Sequence, residues 1–302
     1  MIEIDLTIIL LTHNRINFAI QAIKSILNQT NKDFRFIISD NSTTFELRDY
    51  VKNNFSEVEY ITWYPGISAA SHFTEARKLV ESKYFVLFHD DDLMDPTYVE
   101  NILYQFKISP AAAAIGTNGY IINNDGTKIN ENFLYDSENK IDHFDKASDF
   151  IMRYLTVEAG RAAGFSTYAY NKNLIYEIKM DWSRGRAYFD TIFLAEIVNK
   201  KNILWINKPL VMVRDHENRI SSNCGVRDYK AFVNIVRNEY YTTISEKYIE
   251  EYRLVNLFNE LKKRKKFHNA AIKYFFIYVP KLIVISSNFR KRFYRYLFIK
   301  NK

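Results

Sequence analysis

Residues 84–96 read YFVLFHDDDLMDP, and the change from apolar to acidic within this stretch decides the architecture. Five apolar residues in a row at 84–88 suit a strand buried on both faces, as in a parallel sheet between helical layers. The run stops at His89 and then three aspartates, Asp90, Asp91 and Asp92. Two earlier stretches repeat the pattern. LTIILL at 6–11 runs into THNR at 12–15, and FRFIIS at 34–39 runs into Asp40-Asn41-Ser42. Between them Ile16, Ile20, Ile23 and Leu27 fall on one helical face. Further on, 47–55 predicts a helix, 59–64 (EYITWY) a strand, Pro65-Gly66 a turn and 68–82 a helix. Pro96 suits the first turn of a helix reaching about residue 106. Such alternation predicts an α/β fold with a mostly parallel sheet flanked by helices. Open sheets of this kind bind ligands at the carboxyl ends of their strands, so three polar clusters at three such ends predict one site.

From about residue 111 the pattern loosens. A strand is expected at 115–122, a turn at Asn123-Asn124-Asp125-Gly126, a helix at 145–155, a helix at 190–198 and a short strand at 203–206. Residues 159–170 are small and aromatic and yield no element. Residues 228–266 read as helical and charged.

The 302 residues are 47% hydrophobic and 25% charged, the balance of an ordinary folded chain with a sizeable core. The single cysteine, Cys224, cannot form an internal disulfide, which fits a reducing, cytoplasmic setting. The opening residues lack a basic start and a cleavage site, so no signal peptide is expected; no apolar run reaches 18 residues, so no membrane span is expected. The net charge of +7 conceals an asymmetry. Residues 262–302 hold 13 of the 42 basic residues and none of the 35 acidic ones, which leaves 29 basic against 35 acidic in residues 1–261. The body is mildly acidic and the tail strongly basic, which suggests an anionic surface as partner of the tail.

Three adjacent carboxylates repel one another and need a counter-charge. A divalent cation is the natural one, because Mg2+ and Mn2+ prefer carboxylate oxygens and Mg2+ commonly bridges a carboxylate to substrate phosphates. The plainer reading is a solvated loop with Asp95 capping the next helix.

The pieces THNR, SILNQT (25–30), SDNS (39–42) and LFHDDDLMDP (87–96), in this order and spacing, resemble family 2 of the glycosyltransferases, which has the GT-A fold. The resemblance covers roughly 4–110 and extends more loosely to about 222. It implies a transferase domain at 1–225, with a nucleotide-binding half at 1–110 and an acceptor-binding half at 111–225, followed by a C-terminal helical, basic and aromatic extension at 226–302. It implies that Thr12, Asn14, Arg15, Asp40 and Asp90 face the nucleotide. Asp91 becomes the principal ligand of Mn2+ or Mg2+, with Asp92 beside it supporting the loop and His216, in VMVRDHENR, reaching the metal or diphosphate. Arg214 or Arg219 is expected on phosphate. His89 stands where the family often has Asp, and Ser71-His72 where it often has Arg-Asn. An inverting transferase needs a carboxylate base for the acceptor hydroxyl. The matching position is Asp190, ahead of IFLAEIV, with Asp181 and then Glu196 as alternatives; the plainer role for Asp190 is a helix cap. Gly164-Phe165-Ser166 is expected near the acceptor.

The implied reaction moves a sugar from a nucleotide-sugar donor, UDP-linked by preference, to a glycan or lipid-linked acceptor in surface polysaccharide assembly. A nucleotidyltransferase of related fold and a non-catalytic sugar- or lipid-binding partner are the competing readings. In the tail, ten aromatics interleave with the 13 cations, and Phe289, Phe293, Tyr296 and Leu297 share a helical face. That pattern suits an interfacial helix on anionic lipid, and places the protein in the cytoplasm at the inner face of the membrane, with no nucleic-acid partner expected.

Overall fold

The computed structural model describes residues 5–130, 140–156, 164–216, 225–240, 242–263, 277, 279–284 and 290. Strand β1 (Leu6–Thr12) lies between β2 (Phe34–Asp40) and β4 (Tyr84–His89), parallel to both, and β3 (Glu59–Thr62) extends the sheet beyond β2. The register pairs Thr12 with Asp40 and Leu11 with His89. The three polar clusters foreseen in the sequence therefore emerge along one edge of the sheet. All seven residues of β1 are buried, as its continuous apolar run requires.

Helix α1 (Ile16–Leu27) buries Ala19, Ala22, Ile23 and Ile26. The two alanines let the helix approach the sheet closely, and each fully buried isoleucine contributes about 1.5–3 kcal/mol. Helices α2 (Glu46–Asn54), α3 (Ala69–Lys78) and α4 (Tyr98–Ile108) follow β2, β3 and a two-residue strand β5 (Leu93–Met94). Helix α4 begins two residues after Pro96: Asp95 instead accepts hydrogen bonds from the Thr97 amide and hydroxyl, which turns the chain before the helix starts. One core cluster joins β1, α1, β4 and α4 through Leu6, Ile8, Ile23, Val86, Phe88, Ile102 and Phe106.

The second half of the sheet differs from the sequence expectation most in two strands. β9 (Tyr168–Asn171) runs antiparallel between β4 and β6 (Ala112–Ile122), where the sequence predicted no element. All four of its residues are buried, so it lacks the polar alternation that marks a strand. The expected short strand at 203–206 is part of the 13-residue β10 (Asn202–Arg214), parallel to β6. Pro209 interrupts the sequence pattern, and the ladder shifts register on either side of it, since proline donates no hydrogen bond. The hairpin at Asn123–Gly126 is as expected: Asn123 Oδ1 accepts from the amides of Asp125 and Thr127, and Gly126 has φ of +86°. It leads into β7 (Lys128–Asn130), and β8 (Ile141–Phe144) pairs with β10. The full order is β3-β2-β1-β4-β9-β6-β10-β5.

Gly116 on β6 has a packing reason. A Cβ there would stand 2.5 Å from Tyr168 and 2.6 Å from Trp205.

The chain divides into two compact units. The first comprises Met1–Ala147, Ala162–Met180 and Phe193–Glu217, and so contains the whole sheet. The second comprises Ser148–Arg161, with all but the first residue of helix α5 (Ala147–Leu155), Asp181–Ile192 and Asn218–Lys302. In it, α7 (Val226–Tyr240) buries Phe232, on which Tyr188 stacks at 4.8 Å and which Tyr252 of α8 (Glu246–Lys263) meets edge-on. Leu254 of α8 packs with Val279 and Leu282. Most of the basic tail, with its expected interfacial helix, lies outside the described residues. Among the described residues no helix is long and apolar enough to cross a membrane.

Candidate active site

The site lies in the first unit, where the loops after β1, β2 and β4 meet the end of β10. Asp90, Asp91 and Asp92 are all buried, at 4%, 9% and 4% exposure. The protein assigns each a different set of partners. Asp90 Oδ2 accepts from the His13 amide at 3.0 Å and Oδ1 from Arg15 Nη1 at 3.1 Å. Asp91 Oδ2 faces Arg15 Nη1 at 2.8 Å and His216 Nε2 at 2.9 Å. Asp92 accepts from the Arg214 amide at 3.1 Å and from the Ser166 hydroxyl.

These surroundings split the acidities. Burial, and then the charge of Asp91, push Asp90 up to about 7. Burial acts the same way on Asp91, but His89, His216 and Arg15 outweigh it and hold that carboxyl below its usual range. A site of this kind keeps one acid ionised and makes its neighbour easy to protonate.

His89, Asp91 and Asp92 place ligand atoms within 4.8 Å of one another. Two carboxylates and an imidazole form a donor set that suits Mn2+, and the carboxylates suit Mg2+. The residues therefore fit a divalent cation. Asp91 and Asp92 were expected in that set. His89 was read only as a substitution in the motif, although its place beside the triplet was a visible signal. An aromatic wall fixes its ring: Phe165 stacks on it at 6.2 Å and Phe73 meets it edge-on at 5.8 Å. Ser166, expected near the acceptor, donates its hydroxyl to Asp92. His216, expected as a ligand, contacts Asp91 and packs on Phe18 at 5.4 Å.

Of the residues expected to face the nucleotide, Thr12 and Asp40 are tied together beneath the loops. Asp40 is 2% exposed, and its oxygens accept from the Thr12 hydroxyl at 2.7 Å, the Ser42 amide at 2.9 Å and the Tyr60 hydroxyl. Asn14 has φ of +53°, a conformation its short polar side chain tolerates, and its Oδ1 holds the Thr43 amide at 2.9 Å. His72 is buried against Ser39, with Nε2 2.9 Å from its hydroxyl, and burial lowers its pKa to about 4.

Arg214 differs most from its expected phosphate contact. It is fully buried, with Nε donating to the Asp91 carbonyl, Nη1 to the carbonyls of Asn123 and Asn124, and Nη2 to Gln21 Oε1. Its guanidinium also covers the Phe18 ring at 4.6 Å. Arg214 is a structural clamp that joins the triplet loop, the hairpin and α1. The alternative, Arg219, lies outside the described residues, as does Cys224.

Asp190 is in the second unit, in the first turn of α6 (Phe189–Lys200), half-buried, with Oδ1 2.7 Å from the Thr191 amide. Asp181 is exposed and caps Ser183, whose hydrogen bonds lower its pKa. Glu196 sits on the third turn of α6, half-buried.

The carboxyl edge of the parallel strands thus carries an acidic triplet after β4 and a basic residue after β1, with a histidine after β10 beside them. The chain belongs to glycosyl transferase family 2, whose model matches residues 7–174, more than half of its length. It is a glycosyltransferase with the GT-A fold. Among solved structures it is similar to S. aureus TarS 1–349 in complex with UDP-GlcNAc, at 13% identity and a TM-score of 0.56, covering 85% of this chain and 73% of that one. It is also similar to the mannosyltransferase PcManGT from Pyrobaculum calidifontis in complex with GDP-Man and Mn2+, at 12% identity and a TM-score of 0.54, covering 98% and 88%. At these identities the likeness concerns the fold. No curated protein matches the chain in sequence.

Proposed function

We propose that the protein transfers a sugar, with inversion, from a nucleotide-sugar donor, UDP-linked by preference, to a hydroxyl of a glycan or lipid-linked acceptor in surface polysaccharide assembly. The observation that carries this reading is the cluster of half-buried His89 with buried Asp91, Asp92 and His216 at the carboxyl edge of a family 2 sheet. The structures of TarS with UDP-GlcNAc and of PcManGT with GDP-Man and Mn2+ agree with a nucleotide-sugar donor and a divalent cation.

Asp91, Asp92, His89 and His216 hold Mn2+ or Mg2+. When bound, such a cation offsets the negative charge that builds on the departing diphosphate. Thr12, Asn14, Arg15, Asp40 and Asp90 position the nucleotide, with Asp40 ordering the loops from beneath. Asp190 accepts the proton of the acceptor hydroxyl as that oxygen bonds to the anomeric carbon and the bond from that carbon to the diphosphate breaks. Residues 1–110 form the nucleotide half, 111–225 the acceptor half and 226–302 an extension. The tail at 262–302 brings its 13 cations to an anionic lipid surface at the inner face of the cell membrane, where lipid-linked acceptors lie.

The test is turnover of UDP- and GDP-sugars by wild type and Asp190→Asn, with donor affinity measured in parallel. The variant should lose at least about a hundredfold in kcat, the usual contribution of a positioned base, and keep its donor affinity. Retained turnover would remove Asp190 from the mechanism.

A further inference from the structure

Arg15 places one nitrogen between two carboxylates. Nη1 lies 3.1 Å from Asp90 Oδ1 and 2.8 Å from Asp91 Oδ2. The Arg15 side chain keeps 29% of its exposure, while those of Asp90 and Asp91 keep 5% and 12%. The guanidinium thus enters from the solvent side and the acids from the protein side. Two adjacent carboxylates this deeply buried need a full positive charge nearby, because leaving such charges uncompensated is costly. Among the described contacts His13 gives Asp90 a neutral amide, and His216 meets Asp91. Among the described contacts Arg15 is the cationic group that touches both acids.

Asp91 also belongs to the His89, Asp91, Asp92 group that could hold a cation. A divalent ion and the Arg15 guanidinium would therefore compete for the same carboxylate. We infer that Arg15 is a surrogate cation of the metal-free site: it holds Asp90 and Asp91 until a divalent ion takes Asp91, and then turns to the donor diphosphate. This inference rests on the nucleotide-sugar reading above. The guanidinium suits both stations, since its planar fork of donors matches carboxylate and phosphate alike. Its exposure leaves it room to turn. Arg15 then couples the two ligands, because a diphosphate that captures Arg15 removes the competitor of the metal, and such coupling is reciprocal.

The experiment is calorimetry on wild type, Arg15→Gln and Arg15→Lys, titrating Mn2+ alone, UDP and GDP alone, and each nucleotide at saturating Mn2+. Arg15→Gln should bind Mn2+ alone at least about tenfold tighter than wild type, as expected when a unit charge within a few ångströms is removed. The same variant should bind nucleotide at saturating Mn2+ at least about tenfold more weakly. Arg15→Lys, which keeps the charge, should lie closer to wild type in both. Thermal melts guard against misfolding: the metal-free Arg15→Gln protein should melt below wild type, and Mn2+ should raise its midpoint more than it raises that of wild type. Unchanged or weaker Mn2+ binding by a folded Arg15→Gln protein, with wild type binding both ligands, overturns the surrogate role and leaves the donor reading intact. A wild type that binds neither Mn2+ nor either nucleotide overturns both.

Discussion

Replacing Arg214 with methionine keeps most of its buried volume and removes every side-chain donor. Four hydrogen bonds disappear, three to main-chain carbonyls of Asp91, Asn123 and Asn124 and one to Gln21. A hydrogen bond from a charged donor contributes about 1.5–3 kcal/mol, but the four share one group and do not add. The desolvation of the guanidinium also opposed folding, and the methionine thioether still packs on Phe18, so part of the loss is recovered. The net cost should be about 3–5 kcal/mol, the range for breaking a buried charged cluster from one side. For a chain of this size that corresponds to a midpoint lower by roughly 10 °C. Thermal and urea unfolding of wild type and Arg214→Met measure it. Arg214→Lys should recover little, because an ammonium cannot reproduce the fork. A melting point within about 2 °C of wild type, together with a large loss of nucleotide affinity, would refute the clamp and restore the phosphate contact that the sequence suggested.

Three other substitutions test separate parts of the account. His72 is buried neutral with its pKa lowered from 6.5 to about 4, so between those values the unfolded chain binds a proton that the folded chain does not. Stability present above pH 6.5 is therefore lost as pH falls toward 4, about 3 kcal/mol in all and about 2 kcal/mol of it by pH 5, and His72→Gln should remove that slope in urea titrations at pH 6.5 and 5. Gly116→Ala forces a methyl against Tyr168 and Trp205 and should lower unfolding free energy by about 1–3 kcal/mol; a neutral result would mean the two rings move aside freely. Ser166→Ala removes a hydrogen bond to Asp92 and should weaken Mn2+ binding by at least about tenfold with little change in melting point, whereas equal Mn2+ affinity would show that Asp92 needs no such support.

The first half of the sheet could be read from the sequence because continuous apolar runs, turn residues and helical spacing all agreed there. The place of the candidate site could be read for the same reason: polar residues at strand ends are where an open sheet binds ligands, and the parallel register aligns Thr12, Asp40 and His89 along one edge. Strand β9 escaped because a strand buried among aromatic rings shows no alternation, and β10 was cut short by Pro209. Arg214 was misjudged because an arginine beside an acidic site looks alike in sequence whether it points to a ligand or into the protein. Its four acceptors come from α1, the triplet loop and the hairpin, as far as 193 residues away in the chain, and no local pattern announces them. His89 was visible at its position, but its role depends on the rings of Phe73 and Phe165, which only the fold brings to it.

The central claim is that the acidic cluster binds a nucleotide through a divalent cation. Calorimetric titration of UDP, GDP and dTDP into wild type and Asp91→Ala, with and without Mn2+, tests it directly. One nucleotide should bind wild type at least about tenfold tighter with Mn2+, and Asp91→Ala should lose that gain while remaining folded. Binding that ignores Mn2+, or a gain that survives in Asp91→Ala, would contradict the claim.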